Sequence, residues 1–257
     1  MKNRVIAIFK LTLIISVISS SSNVFPQKKD NIQNISVIAP ANVKIDGKLN
    51  EWNDNLQAYN KNTLLNYTLS NDDKNVYMAF KSSDFSNNNK IMGGGISFIL
   101  NANGEKKSKE SYSVTYPILT QADIRNALSS GGSQQFTKEQ RDSIIETIRG
   151  KLIASMKEIK VSGFSGITDT LISRYNDYGI KAASSFDAAG SFIYELAIPL
   201  KLLNLSIDKP KEFAYSVSVN GIQPANPGSD NSGANNPAYM AITSPTSFWG
   251  KYILAKK

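Results

Sequence analysis

The sequence predicts an all-β fold: an antiparallel β-sandwich of jelly-roll or immunoglobulin-like type that carries one helical insertion. From residue 34 onward, apolar residues recur with a period of two, and polar turn residues separate the runs. The runs do not alternate regularly with helical patterns, as they would in a parallel α/β sheet. We therefore place a sandwich domain at 34–257, with the insertion at about 120–156.

The first 22 residues have the pattern of a secretory signal peptide. Lys2 and Arg4 precede an apolar run at 11–18, and four serines follow where a peptidase could cut, although cleavage as late as residue 27 also fits. An uncleaved membrane anchor is the alternative. We expect a secreted, periplasmic or outer-envelope protein with no membrane span after cleavage.

Composition limits the chemistry of the chain. There is no Cys for disulfides or lipid attachment, and no His for general-base catalysis or the usual zinc sites. No Asp or Glu pair stands out as a glycosidase pair, so we predict that the protein is not an enzyme.

Loss of the signal peptide lowers the number of basic residues from 29 to 26, against 21 acidic residues, and lowers the net charge from +8 to +5. So small a surplus, without a basic run, argues against nucleic acid as a partner.

The predicted strands follow one another along the chain. Residues 43–45 form a short extended run before the Asp46-Gly47 turn, which leads to Trp52, a residue we expect to be structural. The Gly93–Gly95 run indicates close packing rather than a phosphate-binding loop, because no helical pattern follows it. The other strands are predicted at 65–69, 76–80, 96–100, 112–118, 158–161, 178–183, 192–198, 213–219 and 249–255.

The insertion has a helical period instead. Thr137 and Gln140 have the spacing of a capping box, and a shorter helix is predicted at 121–128, with a loop at 129–135. Six apolar residues fall on one face of the longer helix, namely Ile144, Ile145, Ile148, Leu152, Ile153 and Met156. We expect this stripe to pack against the sheet of its own chain, and docking on a partner protein is the alternative.

Several segments, taken together and in order, resemble the family 9 carbohydrate-binding modules and the wider group of DOMON-like domains of exported bacterial proteins. These segments are residues 45–52 (IDGKLNEW), 75–84, 95–100, 194–199 (YELAIP) and 249–252. The resemblance covers most of 34–257 except the helical insertion. It implies a jelly-roll-like sandwich that holds a terminal sugar between aromatic rings, often with calcium. The chain differs from these modules at 89–95 and at 244–247, where they carry binding aromatic residues.

The candidate ligand-binding residues lie towards the end of the chain. Residues 223–237 contain almost no large apolar residue, so we predict a long exposed loop whose amides, including Gln223, suit sugar hydroxyls. Trp249 and Tyr239 flank this loop and offer aromatic platforms, and Trp249 could equally be a core residue. The resemblance adds Asn220, which takes the place of a polar binding residue and could also be only a turn residue.

The residues of the chain require no cofactor, but they leave two to consider, calcium and haem. Asp46, Asp73 and Asp84 could supply oxygen ligands to calcium near strand ends, although an Asp-Gly pair such as Asp46-Gly47 is often only a turn. Some DOMON-like domains hold haem through Met together with His or Lys, which leaves Met92 or Met240 with a Lys in this chain.

The sequence therefore predicts a non-catalytic, exported domain of the carbohydrate-binding module type, which recognises a glycan or polysaccharide at the cell envelope or outside the cell. The alternative is a structural or adaptor envelope protein that binds another protein through the helical insertion. A haem-binding redox domain is the third hypothesis.

Overall fold

The computed structural model describes residues 29–53, 55–106, 110–129, 136–223 and 236–256. The signal peptide predicted at 1–22, with its alternative end at 27, lies outside these ranges. So do residues 130–135 and 224–235, which make up most of the two predicted loops. None of the helices in the described ranges is long and apolar enough to cross a membrane.

The described strands form two antiparallel sheets and are numbered along the chain. The five-stranded sheet runs from edge to edge through β1 (Ala58–Asn60), β2 (Leu65–Asn71), β3 (Asn75–Ser82), β9 (Phe192–Pro199) and β8 (Lys181–Phe186). The six-stranded sheet runs through β11 (Thr246–Tyr252), β10 (Phe213–Val219), β4 (Ile96–Asn101), β5 (Tyr112–Tyr116), β6 (Glu158–Ser162) and β7 (Leu171–Ser173).

Four helices accompany the sheets in the described ranges: α1 (Phe85–Gly94), α2 (Gln121–Leu128), α3 (Lys138–Ser155) and α4 (Pro237–Thr243). The fold is therefore not strictly all-β. The insertion lies where it is predicted, and both of its helices begin at a complete capping box, that of α3 formed by Thr137 and Gln140. The prediction gave neither α1 nor α4, and Pro237, expected in the loop, begins α4.

The facing sides of the two sheets share one hydrophobic core, built from the alternate residues of each strand. Tyr67 of β2 and Tyr215 of β10 meet across it, with their hydroxyl oxygens 3.2 Å apart. The Tyr67 ring also lies 4.9 Å from that of Phe248 in β11, measured between centroids. These contacts are what a period-two pattern of apolar residues provides when each strand is buried on one side.

The helical insertion joins this core through only part of its apolar stripe. Leu152 and Met156 are buried with the residues of both sheets, and the Ser184 hydroxyl donates to Met156 Sδ at 3.0 Å. Towards the start of α3, Ile145 stays 43% exposed, and Leu128 at the end of α2 is 55% exposed. The predicted packing against the sheet is therefore found for the second half of the stripe.

The outward side of the five-stranded sheet is covered by residues 39–56, here called the cover segment. Leu49, Trp52 and Leu56 from this segment pack on outward side chains of β3 and β9, among them Tyr77 and Ile193. The run predicted as a strand at 43–45 forms none, because it crosses the face of the sheet without pairing at its edge. This covering gives the five-stranded sheet a second, smaller apolar cluster.

The three glycines before β4 lie in tight packing, as predicted. A Cβ on Gly94 would stand 2.5 Å from the Asn220 carbonyl oxygen, and one on Gly93 would stand 2.6 Å from the Ile222 side chain. Gly95 has a φ of +74°, which favours glycine. The end of α1 thereby comes directly against the segment that follows β10.

Candidate functional site

The opening motif of the cover segment is held by one buried carboxylate, that of Glu195 in β9. Its Oε2 accepts hydrogen bonds from the backbone N–H groups of Asp46, Gly47 and Lys48 at 3.1, 2.9 and 3.2 Å. Its Oε1 accepts one from the Trp52 indole N–H at 2.8 Å. Trp52 is only 6% exposed, so its placement agrees with the structural role expected from the sequence.

Burial raises the pKa of Glu195, and the hydrogen bonds from Trp52 and from the Gly47 and Asp46 amides oppose that rise. Both carboxylate oxygens are engaged by the cover segment, so this group is a structural anchor. Glu195 is not among the residues predicted from the sequence, although it stands out as a charged residue inside the apolar run of β9.

The outward side of the six-stranded sheet, here called the open face, carries Trp249. Strand register puts Trp249 of β11 beside Ser216 of β10, Ile99 of β4 and Ser113 of β5 in one row across the sheet. Trp249, Ile99 and Ser113 are partly exposed, while the smaller Ser216 is buried between its neighbours and donates to the Phe248 carbonyl at 3.0 Å. Trp249 is thus a surface residue of the sheet, and the alternative of a core residue is not what the structure shows.

A second row, nearer the start of β4, is rich in hydroxyl groups. It crosses all six strands and consists of Ser247, Ser218, Ser97, Thr115, Lys160 and Leu171. Ser97 and Thr115 bond to each other at 2.7 Å. Within the described part of the chain, the hydroxyls of Ser218 and Ser247, and that of Ser113 in the first row, have no hydrogen-bond partner, and all three residues are at least partly exposed.

Asn220 lies on the same side of the sheet as Trp249, just past the end of β10. The register puts Trp249 opposite Ser216, four residues before Asn220, which corresponds to about 13 Å along the strand. The Asn220 amide donates to the Gly94 carbonyl and to Ser97 Oγ, both at 2.9 Å. Its side chain therefore links the end of β10 to the start of β4. This agrees better with the alternative that Asn220 is a turn residue than with a side chain that is free to bind a ligand.

Tyr239 and Gln223 lie beyond the ends of β10 and β11. Tyr239 is partly exposed in α4, and Gln223 is exposed directly after Ile222, whose N–H donates to the Ile242 carbonyl at 2.9 Å. Of the four predicted ligand-binding residues, the structure places Trp249 and Asn220 on one side of the six-stranded sheet, and Tyr239 and Gln223 beside α4. The rest of the predicted loop lies outside the described residues.

The three predicted calcium ligands are not brought together. Asp73 lies in the turn before β3 and Asp84 follows its far end, so the eight-residue strand separates them by about 26 Å. Asp46 Oδ1 accepts from the Lys48 N–H at 3.0 Å, and Asp84 Oδ1 caps α1 by accepting from the Asn87 N–H at 2.8 Å. Across the described ranges, no three acidic side chains lie close enough to hold a metal ion.

The methionines considered for haem occupy different environments. Met92 of α1 is buried in the main core, whereas Met240 of α4 is 51% exposed. Near them, Lys90 is buried and its Nζ donates to Thr246 Oγ1 at 3.3 Å. Burial lowers the pKa of Lys90.

The open face combines groups that suit carbohydrate. An indole face accepts the C–H groups of a sugar ring, and serine hydroxyls can both donate to and accept from sugar hydroxyls. Comparison of the chain with family models and with curated proteins finds no match.

Proposed function

We propose that this protein is a non-catalytic, exported domain that recognises a glycan at the cell envelope or outside the cell. The observation that carries the proposal is the position of Trp249, which is partly exposed on the open face beside unpartnered serine hydroxyls. The opposite outer face has no comparable role, because the cover segment closes it.

Two further points support the proposal. The segments at 45–52 and 194–199, which resemble family 9 carbohydrate-binding modules, contact each other through Glu195 and Trp52. We accordingly assign the two packed sheets to the jelly-roll-like β-sandwich class to which those modules belong. The signal-peptide pattern at 1–22 would bring such a domain into contact with glycans outside the cytoplasm.

The test is saccharide binding by calorimetry and by retention on insoluble polysaccharides, with and without calcium. Trp249→Ala is expected to weaken binding about tenfold or more, because about 1.4 kcal/mol of stacking energy is enough for that change. The matched control is Tyr175→Ala, which removes an aromatic residue that is 77% exposed outside the open face. The proposal fails if no saccharide binds, or if Trp249→Ala binds as well as the native protein.

A second function, protein binding through the helical insertion, is favoured by one observation. Leu128 at the end of α2 and Ile145 in α3 expose apolar side chains. Deleting 120–156 would also remove Leu152 and Met156 from the core, so surface substitutions are the cleaner test.

The double variant Leu128→Ser with Ile145→Ser should lose a stoichiometric partner in pull-down experiments from envelope extracts. Ile35→Ser, at a residue that is 54% exposed elsewhere, should retain that partner. Equal capture of the partner by the native protein, the double variant and Ile35→Ser would exclude the insertion as the binding surface.

A further inference from the structure

We infer that the open face binds the interior of a linear, uncharged glycan chain rather than the sugar at a chain end. This inference rests on the proposed function, which it extends to a ligand class and a mode of binding.

The two tryptophans of the chain cannot form a slot around one sugar ring. Trp249 lies on the outward side of the six-stranded sheet, whereas Trp52 is buried against the outward side of the other sheet and bonded to Glu195. Among the described strands of the six-stranded sheet, no other aromatic side chain occupies an outward position. A single platform can stack one face of a ring, and it leaves both ends of a chain free to continue.

The outward rows are long enough for a chain. The row from Ser247 to Leu171 spans six strands, so its length is five interstrand spacings, or about 24 Å. Each sugar unit of an extended chain covers roughly one such spacing of about 4.8 Å. From Trp249, the free hydroxyls of Ser218 and Ser113 lie one and three strands away, and Ile99 offers an apolar contact between them.

The charge of this surface argues for a neutral ligand. Every outward residue of the three strands β10, β4 and β5 is uncharged. Of these residues, Ser218, Ser97, Ile99 and Ser113 are partly exposed, and Ala214, Ser216, Asn101 and Thr115 are buried. Charged outward residues occur only on the flanking strands β6 and β11, where Lys251 is paired with Glu212 at 2.6 Å. An acidic polysaccharide would find no cationic side chain among the outward residues of these three strands.

The experiment is calorimetric titration of the protein from residue 29 onward with neutral oligosaccharides. These have two to six units and are cut from linear β-linked glucans and mannans. Each oligosaccharide is also tested after borohydride reduction of its terminal sugar. We expect affinity to rise at least tenfold from two to five units. The six-unit ligand keeps five closed rings after reduction, so its affinity should be unchanged by reduction. Polygalacturonate, as an acidic linear polymer, should bind at least tenfold more weakly than a neutral polymer.

One variant tests whether longer oligosaccharides bind to the part of the open face that lies away from Trp249. Ser113→Arg places a bulky side chain three strands from Trp249, and it should remove the gain from longer oligosaccharides while two-unit ligands still bind. Ser143→Arg, at an exposed position of α3, is the matched control and should bind like the native protein.

The outcomes distinguish this inference from the function on which it rests. Full affinity for a two-unit ligand, loss of binding on end reduction, or preference for polygalacturonate would overturn the inference while glycan binding stands. Absence of binding to every saccharide would overturn both.

Discussion

The two tryptophans of this chain have opposite roles, which their surroundings determine. Trp52 donates its indole N–H to a buried carboxylate and packs beneath the cover segment. Trp249 lies on the open face beside Ser216, with Ser247 and Lys251 on either side of it along β11. The same residue type therefore stabilises the fold at one site and offers a surface for stacking at the other.

The first prediction concerns Trp52→Phe. The substitution leaves Glu195 Oε1 without its indole donor and leaves space in the smaller apolar cluster, so the free energy of unfolding should fall by about 2 to 4 kcal/mol. Urea denaturation measures this change. Trp249→Phe is the control and should cost less than about 0.5 kcal/mol, since Trp249 is at the surface. Equal losses in the two variants would contradict the distinction between them.

The second prediction is a pH dependence that originates at Glu195. Burial raises its pKa in the folded protein, so the folded state holds this proton more tightly than the unfolded state does. The contribution of the Glu195 carboxyl group to stability is fully present below its pKa in the unfolded chain, which is about 4.3. That contribution is lost as the pH rises through the higher pKa of the folded protein. The native protein, compared with Glu195→Gln, should therefore lose relative stability as the pH rises above about 4. Parallel pH profiles of unfolding for the two proteins would disprove this assignment.

At the residue scale, the sequence could indicate the structural role of Trp52 but not its partner. The separation of 143 positions between Trp52 and Glu195 leaves no local pattern that joins them. Likewise, an aromatic residue beside a polar segment identified Trp249, whereas the row of serines around it exists only once strand register is known.

At the scale of elements, the close approach of α1 to the segment after β10 depends on Gly94. The third prediction is that Gly94→Ala costs about 2 kcal/mol or more, because the new Cβ would stand 2.5 Å from a backbone oxygen that cannot move aside cheaply. Thermal or urea unfolding measures the effect.

The matched control is Gly150→Ala in the middle of α3. A Cβ there meets nothing within 4 Å, so this variant should gain about 0.5 to 1 kcal/mol from the lower conformational freedom of its unfolded chain. A neutral Gly94→Ala would contradict the packing described for the end of α1, and a destabilised Gly150→Ala would contradict the open space beside Gly150 in α3.

The helices show which elements a sequence can specify locally. Both helices of the insertion begin at complete capping boxes, so they were predictable. Helix α1 was not, because its three asparagines and two glycines are poor helix formers. Tertiary contacts stabilise it instead, since the Asn87 amide donates to the Thr63 carbonyl and to Ser82 Oγ at 2.9 and 3.0 Å.

Strands β1 and β7 have only three residues each, too few for a period of two to be recognised in the sequence.

At the scale of the whole molecule, the two outer faces differ because the described part of the chain covers only one of them. The fourth prediction is that a chain beginning at residue 58 exposes the outward apolar side chains of β3 and β9, among them Tyr77 and Ile193. It should bind a hydrophobic dye and self-associate in size-exclusion chromatography. A chain beginning at residue 29 is the control and should not bind the dye. A soluble, dye-free protein from residue 58 onward would show that the cover segment is dispensable.

The bond between Trp52 and Glu195 also has a consequence for the timing of synthesis. Because 143 residues separate the two, the ribosome must add that many after the tryptophan before its partner exists. At ordinary rates of synthesis, of about 5 to 20 residues per second, the interval is roughly 7 to 30 s. The cover segment of every newly made chain therefore lacks its anchor until residue 195 has been translated.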